Sequence, residues 1–244
     1  MKVHFLGCGD AFGSGGRNHS AYLVEVPDRL FLLDCGPTTL LSMKRAGFNP
    51  RDLDAIFLSH LHGDHYGGLP FLFLEYLHEN PCDRPLHVAG PPGTEERARN
   101  LSQFMFGDGS EPRELPPTLF HVLEPERKEA IGGIEVFPFR VPHQVREISL
   151  GLKIACQGKQ ILYSGDSAWT DLFVTHAQGV DLFICECCFF ERDTPDHMSY
   201  QRIKDNLPRL RCKNLVLTHM GVDMLVKRAQ LPVRTAEDGM VVEI

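Results

Sequence analysis

Four side chains able to bind a metal ion lie within six residues at His60-Leu61-His62-Gly63-Asp64-His65. Imidazole nitrogens and carboxylate oxygens are the ligands that zinc takes in hydrolytic centres. On an extended loop His60 and His62, two apart, can point to the same side. Asp64 and His65 fall at the next turn, where the backbone can aim them at a second ion, and Gly63, Gly67 and Gly68 let the loop bend tightly. A lone histidine in an apolar setting is more often a satisfied core residue than a ligand. Three histidines and an aspartate directly after the apolar run Ala55-Ile56-Phe57-Leu58 are not explained that way.

Four ligands from one hexapeptide cannot complete the shells of two ions, so others must come from elsewhere in the chain. His143 follows the strand-like run Val136 to Pro142, Asp166 follows Ile161 to Gly165, and His219 follows Leu215 to Thr218. Each alone reads as a structural residue. Together they repeat one arrangement, an apolar strand followed by a polar metal-binding side chain, and strand ends gathered at one edge would let them converge.

The elements that must position these residues are short. Strand-like runs cover Val3 to Gly7, Ala21 to Val26, Leu30 to Asp34, Ala55 to Ser59, Leu86 to Ala89, Ile134 to Phe139, Leu150 to Cys156, Gln160 to Ser164, Asp181 to Cys187 and Asn214 to Thr218. Helical spacing marks Thr38 to Ala46, Leu69 to His78, Gly93 to Phe106, Thr170 to Ala177 and Ser199 to Leu207. Strands with interspersed helices occur in each half. That favours two mixed sheets packed face to face with helices outside over a simple doubly wound sheet. The 244 residues suit one α/β domain spanning 1–244. Residues 107–117, rich in Gly, Pro and acidic groups, read as a long loop, either a lid or an exposed connection.

Composition removes several classes of function. A net charge of -7 argues against a broad basic surface for nucleic acid. No apolar stretch approaches a membrane span, and the opening Met1-Lys2-Val3-His4-Phe5 runs straight into a strand pattern, so a cytoplasmic location is expected. The eight cysteines lie largely within apolar runs, which reads as buried thiols in a reducing compartment rather than a disulfide scaffold.

His-x-His-x-Asp-His, a separate His143, Asp166 after Ser-Gly and His219 in Leu-Thr-His together resemble the ligand set of the metallo-β-lactamase superfamily. Leu6-Gly7-Cys8-Gly9-Asp10-Ala11, Leu33-Asp34-Cys35-Gly36, and Glu186 followed by His197-Met198-Ser199 are similar to its ribonuclease Z branch. The resemblance implies a four-layer αββα sandwich and two divalent metal ions, zinc first, with manganese or iron as alternatives. It places one ion on His60, His62 and His143, the other on Asp64, His65 and His219, with Asp166 bridging. It further implies a phosphodiesterase that attacks with a hydroxide held between the ions. Asp64 would assist deprotonation of that water. His197 would stabilise or protonate the leaving oxygen, and Glu186 would orient His197.

The chain departs from the transfer-RNA-processing members of that branch. Little more than two strands join His143 to Asp166, with no room for the basic arm those enzymes carry there. A small phosphodiester, such as a cyclic nucleotide, is favoured over transfer RNA. A carboxylic ester, thioester or lactone on the same metal pair is the alternative, and a non-catalytic metal-binding protein is a third reading. Relatives of this fold often dimerise, but no residue in the sequence marks a homodimer interface. Gly13-Ser14-Gly15-Gly16-Arg17-Asn18-His19 reads either as a plain turn or as a phosphate contact through its amides or Arg17. Glu237-Asp238-Gly239-Met240 also resembles a family segment and carries no assigned role. Phe71, Phe73 and Tyr76 read as core.

Overall fold

The computed structural model describes every residue except Cys82, Asp108, Ser110, Pro112 and Arg113. The buried-thiol reading of Cys82 and part of the 107–117 loop therefore lie outside the described residues. In chain order the strands are β1 (Lys2–Gly7), β2 (Ala21–Val26), β3 (Arg29–Leu33), β4 (Ala55–Phe57), β5 (Leu86–Gly90), β6 (Thr118–Val122) and β7 (Glu129–Ile131). They continue with β8 (Ile134–Val141), β9 (Ser149–Cys156), β10 (Lys159–Tyr163), β11 (Leu182–Glu186), β12 (Leu215–Thr218), β13 (Arg234–Thr235) and β14 (Val241–Glu243). The helices are α1 (Thr39–Arg45), α2 (Gly63–Tyr66), α3 (Leu69–Leu74), α4 (Thr94–Phe106), α5 (Leu172–His176), α6 (Tyr200–Asn206) and α7 (Val222–Lys227).

The strands form two seven-stranded sheets, ordered β14-β1-β2-β3-β4-β5-β6 and β13-β12-β11-β10-β9-β8-β7. Each sheet is mixed. In the first, β14 to β3 pair antiparallel and β3 to β6 parallel. In the second, β13 to β10 pair parallel and β10 to β7 antiparallel. This is the metallo-β-lactamase fold, with helices on both outer faces.

Alternation along each strand builds the layers. Tyr22, Val24, Phe31, Leu33, Ala55 and Phe57 enter the core between the sheets, where they meet Ile161, Tyr163, Leu182 and Ile184. The intervening Leu23, Leu32 and Ile56 pack outward on Met43 of α1 and Leu69, Leu72 and Phe73 of α3. Leu162, Phe183 and Cys185 do the same against Phe173 of α5 and Ile203 of α6. Both faces of the central strands are covered, so they read as unbroken apolar runs.

Four strands escaped the sequence reading: β6, β7, β13 and β14. All four are sheet edges made mostly of exposed or half-buried positions, with Ile131 and Val242 the fully buried ones among them. Short, partly polar edges discourage pairing with other chains, and the same property removes the apolar signal. Among the described residues seven cysteines form no disulfide, and all but Cys212 are buried.

Candidate metal centre

The centre is built at strand ends. β4 runs through Leu58 and Ser59 into His60, and the one-turn helix α2 then carries Asp64 and His65. His143 follows β8, Asp166 follows β10 and His219 follows β12. Gly165 makes the turn to Asp166 feasible. Its φ is +58°, and an added Cβ would lie 2.7 Å from the Leu150 carbonyl oxygen. His219 itself holds φ 55°, a left-handed conformation unusual for a non-glycine residue and of the kind that gathers at functional sites.

His60, His62, His143 and Asp166 bring ligand atoms within 4.8 Å of one another, and so do Asp64, His65, Asp166 and His219. Asp166 belongs to both clusters. The closest approaches are 3.1 Å between His62 Nδ1 and His143 Nε2, 3.2 Å between His65 Nε2 and Asp64 Oδ2, and 3.3 Å from Asp166 to each of His65 and His219. His60 and His143 stand 3.8 and 4.0 Å from Asp166 Oδ2. Ligands about 2.0–2.1 Å from a tetrahedral zinc ion would be separated by roughly 3.3 Å, so these spacings suit a shared cation.

Hydrogen bonding points the same way. His60 Nε2, His65 Nε2 and Asp166 Oδ1 are buried and make no hydrogen bond. Orphaned buried polar atoms are costly and call for a partner such as an ion. The opposite ring nitrogens are fixed: His65 Nδ1 donates to Asp34 Oδ2 at 2.7 Å, and His143 Nδ1 donates to the Asp196 carbonyl at 2.7 Å. That sets the tautomer and leaves each Nε2 lone pair for a metal. The residues present fit a two-ion centre.

Electrostatics divide the clusters. Burial, reinforced by neighbouring imidazoles, lowers the pKa of His60 and of His62, and burial lowers that of His143. Burial works against charge at His65 and His219 too, but Asp166 and the other nearby carboxylates outweigh it and raise both. Burial likewise opposes the charged forms of Asp64 and Asp166, yet the adjacent imidazoles hold both carboxyls below the usual range.

Glu186 and His197 sit beside the clusters as a pair. Glu186 is buried at the end of β11 and accepts from the Ser167 amide at 2.6 Å, from the Cys188 and Met198 amides at 3.3 Å, and from His197 Nδ1 at 2.9 Å. Burial pushes the Glu186 carboxyl up, against the His197 hydrogen bond. Four donors aimed at it leave Glu186 an acceptor, so the proton resides on the imidazole. Burial lowers the His197 pKa, but the Glu186 bond and charge prevail and push it up to about 9. The His197 ring stacks on that of His219, centroids 5.7 Å apart, and keeps a partly exposed edge.

Every site residue expected from the sequence therefore lies in one place. The reading missed Asp34, which accepts from His65, from the Tyr163 hydroxyl at 2.6 Å, and from the Ser59 amide and hydroxyl at 2.7 and 2.8 Å. A signal was present, since Asp34 also directly follows an apolar strand, β3. The Arg17 guanidinium donates through Nη1 to Cys8 Sγ and the Ala236 carbonyl, which gives it a structural role in this loop. Asp238 gains a structural role: it accepts from the Cys8 and Asn18 amides and ties the N-terminal loop to the C-terminal segment. Phe73 and Tyr76 are buried, whereas Phe71 lines a cavity beside His62 and Asp64.

The chain is similar to known proteins in family, in sequence and in structure. The family of the Anti-Pycsar protein Apyc1 matches residues 1–238. Ribonuclease Z of Methanothermobacter thermautotrophicus is 40% identical over 96 residues, covering 39% of this chain and 31% of that protein. Ribonuclease Z of Anoxybacillus flavithermus is 26% identical over an alignment covering 94% of this chain and 92% of its own length. The chain spans under half the length of several other ribonuclease Z relatives that it matches. Among solved structures, the metallo-β-lactamase fold protein YhfI from Bacillus subtilis superposes with a TM-score of 0.81 at 22% identity, covering 99% of each chain.

Proposed function

The chain belongs to the Anti-Pycsar protein Apyc1 family, and from that premise we propose that it is a dinuclear metal-dependent hydrolase of small phosphodiesters. His60, His62 and His143 would hold one ion and Asp64, His65 and His219 the other, with Asp166 between them. Zinc suits this donor set. Bound there, two divalent ions would supply an acidified water and neutralise charge on the phosphoryl oxygens.

The chain's own groups supply the rest. Asp64, kept ionised by His65 and His219, is an acceptor for the proton that the attacking water sheds. His197 carries its proton on the free ring nitrogen and delivers it to the leaving oxygen, because Glu186 occupies Nδ1. The four hydrogen bonds on Glu186 keep that ring from turning away.

The Glu186–His197 pair is the observation that carries the phosphodiester reading over the ester reading. A phosphoryl transition state needs a positive donor beside the metals, and a buried carboxylate that holds an imidazole protonated provides one. The hairpin joining β9 to β10 turns through Gln157 and Gly158, both in the left-handed region, with Cys156 paired to Lys159. This tight turn leaves no projecting arm between His143 and Asp166, which favours a small substrate over transfer RNA. Ribonuclease Z is nonetheless the name of the curated relatives, so an RNA substrate belongs in the test.

The test is a panel of bis-(p-nitrophenyl) phosphate, a p-nitrophenyl ester, a lactone and a transfer-RNA precursor, run on wild type and His197→Ala. Phosphodiester turnover that falls about 10²–10⁴-fold in His197→Ala, with metal content unchanged, is expected. Ester or lactone cleavage without phosphodiester cleavage, or unchanged turnover in the variant, would overturn the assignment.

A further inference from the structure

A cavity of about 730 Å³ opens on the His197 side of the centre. It is continuous with the second cluster, because Cys188 and His197 line it and each offers a ligand atom within 4.8 Å of His219. Its remaining walls are not what a polar substrate would need. Phe12 stands at the rim 90% exposed, and Val222 is 65% exposed. Phe189 forms another wall, with the Arg192 guanidinium 3.7 Å above its ring centroid.

The Phe12 exposure is built in rather than left over. Asp10, itself buried, accepts from the Phe12 amide at 3.2 Å, the Ser14 amide at 2.9 Å and the Ser14 hydroxyl at 2.7 Å. That carboxylate fixes the loop with the phenyl ring outward, although water contact with so large an apolar group is unfavourable. The acidic groups of the lining are already engaged. Asp10 holds this loop, and Asp223 accepts from the Phe190 and Met224 amides. Arg192 forms no ion pair among the described residues. What remains for a ligand is aromatic surface, aliphatic surface and one flat cation.

We propose that this cavity is the leaving-group subsite and selects phosphodiesters whose leaving alcohol carries a flat aryl or heteroaryl ring, with Phe12, Phe189 and Arg192 as the specificity determinants. Phenyl faces and a guanidinium plane each favour stacking on a π system, whereas a puckered aliphatic ring of similar size gains only contact area. The proposal rests on the reading of the metal centre and of His197 as the donor to the leaving oxygen.

The experiment is calorimetric binding of methylphosphonate, cyclohexylmethylphosphonate and benzylphosphonate to the zinc-loaded protein. Each phosphonate is anchored by the metals, and the substituent alone probes the cavity. Benzylphosphonate should bind about tenfold more tightly than methylphosphonate, with the cyclohexyl probe between them. In Phe12→Ala and Arg192→Ala the benzyl advantage should shrink to less than about threefold, while methylphosphonate binds as before; Phe12→Trp should keep the advantage. Equal binding of the benzyl and cyclohexylmethyl probes, or a benzyl advantage that survives both alanine variants, would overturn the proposal. Failure of all three phosphonates to bind would instead remove the metal-centre reading, and the subsite with it.

Discussion

His60, His62 and His143 face one another as imidazoles of lowered pKa, whereas His65 and His219, on the other side of Asp166, are both raised. The difference follows from what surrounds each set. The first cluster contains one carboxylate, Asp166, and feels Asp64 at His62, but burial and the other imidazoles outweigh both. In the second, Asp34, Asp64 and Asp166 all bear on His65. Carboxylates position a ligand ring and strengthen it as a donor, but without a metal they also retain a proton on it. One cluster thus presents neutral lone pairs directly, and the other would have to exchange protons for an ion.

Asp166→Ala removes what the clusters share, and it should have the largest effect. Turnover of bis-(p-nitrophenyl) phosphate is expected to fall below about one-thousandth of wild type, with metal content, read by elemental mass spectrometry, below two equivalents. A variant that keeps both ions would show that the clusters do not depend on their common carboxylate.

Asp34→Asn touches the second cluster directly, through His65, and the first only through the Ser59 hydroxyl that stands between Asp34 and His60 Nδ1. Loss of a carboxylate behind a ligating histidine costs about 10–100-fold in metal affinity. One of two zinc equivalents should weaken by that amount while the other weakens far less. Equal weakening of both would erase the distinction between the clusters.

The mildest probe is pH. Raised pKa values mean that His65 and His219 hold protons to higher pH, so a metal must displace them. Lowered values keep His60, His62 and His143 neutral further into the acid range. As pH falls from 8 towards 6, one zinc equivalent should therefore lose affinity first, by up to about tenfold per pH unit for each proton displaced. Zinc titrations at three pH values read this directly, and parallel loss of both equivalents would contradict the electrostatic contrast.

Within each cluster the ligands differed in how readily the sequence revealed them. His60 to His65 is legible because four donors share one loop, and that spacing has no structural explanation. His143, Asp166 and His219 each follow an apolar run, a weak signal alone, and they gain meaning only because parallel strands bring their ends together. Asp34 carried the same signal but went unassigned, since its partner His65 lies 31 residues away and the bond between them forms only when β3 and β4 pair. The central strands were legible because both their faces are buried. The edge strands β6, β7, β13 and β14 were not, because a half-solvated strand needs few apolar residues. Phe12 was silent for a different reason: nothing in a sequence marks an aromatic residue as exposed.

On the proposed function, two metal ions held by these clusters act together on a phosphodiester. The most direct test is the activity of chelator-stripped protein against bis-(p-nitrophenyl) phosphate as zinc is added in fractions of an equivalent. Turnover should stay low through the first equivalent and rise to its plateau at the second. A plateau at one equivalent, or full activity without metal, would contradict a two-ion centre.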